Sequence, residues 1–166
     1  FADRQEARIV SFPFFDDAWK FNVAGLKNTI MKNAGKGKVV LLLNFPNNPA
    51  GYAPKKSETA DLAQAVRECA ESGIDILAIS DDAYYGLFYE DDTETESSFT
   101  VFSDLHERVL AVKVDGSTKE DFVWGFRVAF ITYGSKGMSP AAYEALGTKT
   151  VSSLRAAGSN SSRLAQ

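Results

Sequence analysis

The chain has one cysteine and one histidine among its 166 residues. A single thiol, Cys69, makes no internal disulfide, and this points to a reducing, cytoplasmic compartment. His106 has no second imidazole to join it, which argues against a histidine-based metal site or catalytic triad. No apolar run approaches the roughly 20 residues that a membrane helix needs. No basic, apolar and small-residue opening marks a signal peptide. Neither sign of charge dominates: 18 Lys and Arg stand against 22 Asp and Glu, a formal net charge of −4. Such a balance carries no footprint for nucleic acid or an anionic membrane. There is no GxGxxG, no GxxxxGK[ST] and no Ser-x-x-Lys, so dinucleotide, P-loop and serine-nucleophile readings have no support.

What remains is the composition of a folded protein. Hydrophobic residues make up 45% and charged residues 24%, with 12 Phe and 6 Tyr, and disordered chains are poor in such aromatics. Strand and helix patterns alternate. Ile9–Pro13 is a short strand candidate. Asn22 suits the N-cap of a helix to about Asn33, with Val23, Leu26 and Ile30 on one face. Lys38–Phe45 is a continuous apolar run, as expected of a parallel strand covered on both faces. Ser57 is expected to cap a helix to about Ser72, with Leu62, Ala65, Val66 and Cys69 at helical spacing. Ile74–Ile79, Val109–Val114 and Arg127–Tyr133 are further strands. A last helix starts at Ser139 with Pro140 in first position and closes before Gly158. This order predicts an α/β fold with three α/β/α layers and a mostly parallel sheet. The stretch Tyr89–Ser98 reads as an exposed acidic loop.

Three polar clusters follow directly after predicted strands. They are Asn44-Phe-Pro-Asn-Asn-Pro-Ala-Gly51, Asp81-Asp-Ala-Tyr-Tyr-Gly86 and Asp115-Gly-Ser-Thr-Lys119. In open α/β sheets, ligands bind at the carboxyl ends of the strands, so parallel pairing would bring all three to one edge. A lysine near a carboxylate, a tyrosine and an arginine can form a Schiff base to an aldehyde and manage the resulting charges.

With these residues in view, the chain resembles the aspartate-aminotransferase-type family of pyridoxal-phosphate (PLP) enzymes, class I/II and fold type I. The family's Asn-Pro-x-Gly turn stands as Asn48–Gly51, and its Asp-x-Ala-Tyr motif as Asp81–Tyr84. Its lysine, with an arginine eight positions on in a Gly-x-Arg context, stands as Lys119 and Gly125-Phe-Arg127. The resemblance implies transamination between an amino acid and a 2-oxo acid by a homodimer, with Lys119 as the Schiff-base lysine. It implies that Asp81 pairs with the pyridinium nitrogen and that Tyr84 and Asn48 bind the ring's phenolate oxygen. Arg127 would fork onto the phosphate. The turn permits a cis Asn48–Pro49 bond.

The family often has a serine three residues before the lysine. Gly116 stands there, so Ser117 or Thr118 would take its place at the phosphate, or that bond is absent. Residues 1–166 correspond to part of the large, cofactor-binding domain; the preceding phosphate-loop part and the following small domain are expected to be absent. Two alternatives stay open. Related PLP-dependent lyases, decarboxylases and synthases share these motifs, and the chain by itself could be a non-catalytic folding domain or remnant. Tyr85 and Phe88 read as packing residues, and Cys69 as core.

Overall fold

The computed structural model describes residues 6–35, 37–123, 125 and 128–158. Its centre is a four-stranded sheet in the order β1-β2-β3-β4. The strands are β1 (Lys38–Asn44), β2 (Asp75–Asp81), β3 (Val109–Asp115) and β4 (Phe130–Gly134). The first three run parallel, while β4 returns antiparallel to β3. Among the described residues, the short connection from Asp115 to Phe130 contains one helix of four residues, α4 (Ser117–Glu120). A parallel return needs a crossover that spans the whole strand, so this link reverses direction instead.

The remaining helices are α1 (Val23–Asn33), α2 (Lys56–Glu71), α3 (Ser98–Phe102) and α5 (Pro140–Ala157). Local chemistry sets their starts. The Asn22 carboxamide accepts from the Gly25 amide at 2.8 Å, as expected of an N-cap. Helix α2 begins earlier than Ser57: Glu58 accepts from the Lys55 amide at 2.8 Å, so the acid three residues in, not the hydroxyl, satisfies the first turn. Ser139 caps α5 ahead of Pro140, accepting from Ala142 at 3.2 Å.

Strand alternation divides the sheet into two faces. Leu41 and Leu43 of β1, Ile76 and Ala78 of β2, and Val109 and Ala111 of β3 point towards α1, α2 and α3. There they pack on Leu26, Ile30, Leu62, Val66, Cys69 and Phe102. Each such aliphatic or aromatic side chain contributes about 1.5–3 kcal/mol by leaving water. Cys69 is fully buried, a core residue as its helical position implied. The other face meets α5 near β4, where the Tyr133 hydroxyl and Thr150 lie 2.7 Å apart.

Three expectations need correction. The run in β1 is not covered on both sides: Val40 and Leu42 are 60% and 64% exposed, because no described element crosses their face. Ile9–Pro13 forms no strand. Pro13 has no amide to donate, and Phe12 and Phe14 instead pack edge-on against Phe21 at 6.0 and 5.2 Å between ring centres. Aromatic packing holds that segment where a ladder was expected. The acidic stretch is only partly solvated, since Thr93, Ser97 and Ser98 within it are buried. Among the described residues, no helix is long and apolar enough to cross a membrane.

Candidate functional site

Because β1, β2 and β3 are parallel and in register from Asn44 to Asp81 to Val114, their carboxyl ends form one edge. The three polar clusters leave the sheet there side by side.

The first is a compact turn. The Asn44 carboxamide accepts from the Asn48 amide at 2.8 Å, and that of Asn47 accepts from Ala50 at 3.1 Å. Both Phe45–Pro46 and Asn48–Pro49 are cis. Gly51 closes the turn at φ 67°, a backbone conformation that costs glycine little. Beneath it, the Tyr52 hydroxyl donates to Glu58 at 2.6 Å. Burial, reinforced by that carboxylate, raises the Tyr52 pKa and keeps the phenol protonated.

The second cluster is tied to the first. Asn44 also donates to the Asp81 carbonyl at 3.0 Å, so one side chain fixes both loop origins. The Asp81 carboxylate accepts from the Ala83 amide at 3.2 Å, an Asx-type turn that aims Tyr84 back across the edge. There the Asn48 carboxamide donates to the Tyr84 hydroxyl at 3.1 Å.

The third cluster begins at Asp115, whose carboxylate accepts from the Gly116 amide at 2.7 Å. Gly116 itself leaves no room for a side chain: a Cβ there would lie 2.6 Å from the Val128 carbonyl oxygen. The family's serine cannot be seated at this position without a shift of backbone. Ser117 opens α4, and two residues later the Lys119 ammonium lies 5.6 Å from the centre of the Tyr84 ring, within cation–π range.

The structure therefore brings Asn48, Asp81, Tyr84, Ser117 and Lys119 to a single sheet edge, and Arg127 lies outside the described residues. Tyr85 and Phe88 pack edge-on at 5.6 Å, as expected of packing residues. Sequence reasoning gave no role to Asn44 or Lys113. Asn44 was detectable as a carboxamide at the end of an apolar strand. Lys113, a charge inside an otherwise apolar strand, carried the stronger signal. Its ammonium lies 2.8 Å from Asp115 and 3.6 Å from Asp82, above the Tyr85 ring at 5.2 Å.

An acid, a phenol, a carboxamide and a primary amine at one edge fit a small aromatic cofactor with an aldehyde, a phenolic oxygen and a basic ring nitrogen. The fold and this edge define an open α/β protein whose polar loops gather at the carboxyl ends of its parallel strands. More narrowly, the chain belongs to the aminotransferase class I and II family, whose profile matches residues 2–162. It is similar to a solved aminotransferase from Anaerococcus prevotii at 25% identity and a TM-score of 0.81, covering 99% of this chain and 42% of that one. Its fold is shared by the cytoplasmic aspartate aminotransferase of Saccharomyces cerevisiae, with 14% identity, a TM-score of 0.67 and coverage of 95% and 38%. The alanine aminotransferase of Pyrococcus furiosus is likewise similar, with 16% identity, a TM-score of 0.63 and coverage of 93% and 35%. The chain thus spans less than half the length of these structures. No curated protein sequence matches it significantly.

Proposed function

We propose that this chain is the cofactor-binding portion of a PLP-dependent aminotransferase that exchanges an amino group between an amino acid and a 2-oxo acid, as a cytoplasmic homodimer. The observation that carries this reading is the Asn48–Tyr84 hydrogen bond at 3.1 Å with the Lys119 ammonium 5.6 Å from the same ring. PLP supplies an aldehyde for an amine and a ring that withdraws electrons from the substrate's α-carbon.

The roles of the side chains follow from their chemistry. Lys119 Nζ would be the amine that holds the cofactor's aldehyde, and as a free amine it would be the base that moves the substrate's α-proton. The Asp81 carboxylate would accept from the ring nitrogen and keep it protonated. Tyr84 Oη and the Asn48 carboxamide would donate to the phenolic oxygen. Arg127 and Ser117 take the phosphate, the first by its planar fork and the second by its hydroxyl.

A second reading, in which the 166-residue chain binds no cofactor by itself, is favoured by the exposure of Val40 and Leu42 beside the site. One experiment separates the two. The purified chain is incubated with PLP, reduced with borohydride and mapped by mass spectrometry. Label confined to Lys119 supports the cofactor reading. Label absent, or spread over many lysines, supports the second.

A further inference from the structure

Lys113 lies on the helix-covered face at the end of β3, level with Ser80 of β2 and Thr132 of β4. Its ammonium contacts two carboxylates from different loops. Asp82 directly follows Asp81 and is 3% exposed; its Oδ2 finds no hydrogen-bond partner among the described residues and has only the ammonium at 3.6 Å. Asp115 directly precedes Gly116, holds the Gly116 amide with one oxygen at 2.7 Å, and meets Lys113 with the other at 2.8 Å. The Tyr85 ring closes the third side at 5.2 Å.

A buried carboxylate without a counter-charge either takes up a proton or leaves its seat. Burial does raise the Asp82 pKa, with Ser97 and then Lys113 working against that rise and Asp115 adding to it. Asp82 is also held by its own backbone, its amide donating to Val114 at 2.9 Å and its carbonyl accepting from Tyr85 at 2.9 Å. A displaced Asp82 side chain would therefore pull on the segment that carries Asp81 and Tyr84.

We propose that Lys113 is a positioning residue: one ammonium, bound to Asp82 and Asp115, sets the spacing between the Asp81–Tyr84 loop and the Gly116–Lys119 loop. It acts through these two loops rather than by contact with substrate or cofactor. In its effect on the cofactor, the inference rests on the PLP reading of the edge.

The test uses the full chain with Lys113→Met, Lys113→Arg and the double variant Lys113→Met/Asp82→Asn. The first measurement is the PLP concentration that half-labels Lys119 under borohydride. The clamp predicts an increase of about tenfold for Lys113→Met, the scale of a lost charge-assisted hydrogen bond. Lys113→Arg should stay within about threefold, because the charge is kept. The double variant should recover part of the loss, because a neutral carboxamide in place of the Asp82 carboxylate needs no counter-charge while Asp115 still lacks its partner.

The second measurement needs no cofactor: amide hydrogen exchange at 82–85 and 116–120. Lys113→Met should accelerate both segments, and the double variant should slow the first again. Wild-type chain that fails to label Lys119 would sink the PLP reading and leave exchange to judge the clamp. Unchanged exchange in Lys113→Met, or a double variant that exchanges as fast as the single one, would overturn the clamp itself. Should Lys113→Met fail to fold, the clamp predicts that the double variant folds; failure of both would refute the charge argument.

Discussion

The Asn48 carboxamide and the Tyr84 hydroxyl, 36 residues apart in the chain, meet at 3.1 Å where the loops after β1 and β2 leave the sheet. Lys119 reaches the same ring from the loop after β3. Three segments that share no local contact thus converge on one phenol.

Tyr84→Phe keeps the ring and removes the hydroxyl. A neutral hydrogen bond is worth about 1 kcal/mol, so the PLP concentration for half-labelling of Lys119 should rise about fivefold. The chain's unfolding midpoint in urea should move little, since Asn48 is exposed and can bond to water. A labelling curve identical to wild type would remove Tyr84 from the site.

Gly116→Ser should destabilise the chain although it restores the residue that the family often uses. The added Cβ would sit 2.6 Å from the Val128 carbonyl, and such overpacking costs about 1–3 kcal/mol. Urea denaturation checks it; a variant as stable as wild type would show that the β3–α4 junction yields freely.

Neighbouring leucines on β1 should respond oppositely. Leu41 is 5% exposed and Leu42 is 64% exposed. Leu41→Ala is expected to cost about 2–5 kcal/mol, and Leu42→Ala about 0.5 kcal/mol or less. Equal losses in chemical denaturation would mean that the second face of β1 is covered in solution.

The pH dependence of stability should carry the mark of Asp82 and Lys113. Burial lifts the Asp82 pKa above 3.8, with Asp115 adding to the rise and Ser97 and Lys113 opposing it. Asp82 therefore contributes most below its ordinary value, and that contribution fades as pH climbs through the raised one. The Lys113 pKa is lowered by burial but raised more by Asp115 and Asp82, for a net rise above 10.5. Its contribution holds below 10.5 and is lost as pH passes the folded value. Removing the counter-charge in Lys113→Met should widen the stability gap to wild type by about 1–2 kcal/mol between pH 4 and pH 8. Urea midpoints across that range measure it, and a constant gap would contradict the pairing.

Much of this architecture was legible without coordinates. Helical spacing of Leu26 and Ile30 and of Leu62, Val66 and Cys69 identified the faces that are buried. Asn22 and Ser139 marked helix starts because short polar side chains satisfy free amides. The three polar clusters stood out because each follows an apolar run, and parallel pairing then placed them together. Less legible were features that depend on a distant partner. The strand expected at Ile9–Pro13 failed because strand propensity needs a neighbour with a free edge. The capping of α2 went to Glu58 rather than Ser57 because chain geometry, not residue type, decides which side chain reaches the open amide.

The amino-acid order by itself determined the alternation of strands and helices, the apolar faces and the residue types available for chemistry, since these follow from local periodicity and side-chain character. Tertiary structure decided the direction of β4, the exposure of Val40 and Leu42, and the Lys113 contacts to Asp82 and Asp115. Each of these depends on where a remote segment comes to rest, and only the packed sheet supplies that distance.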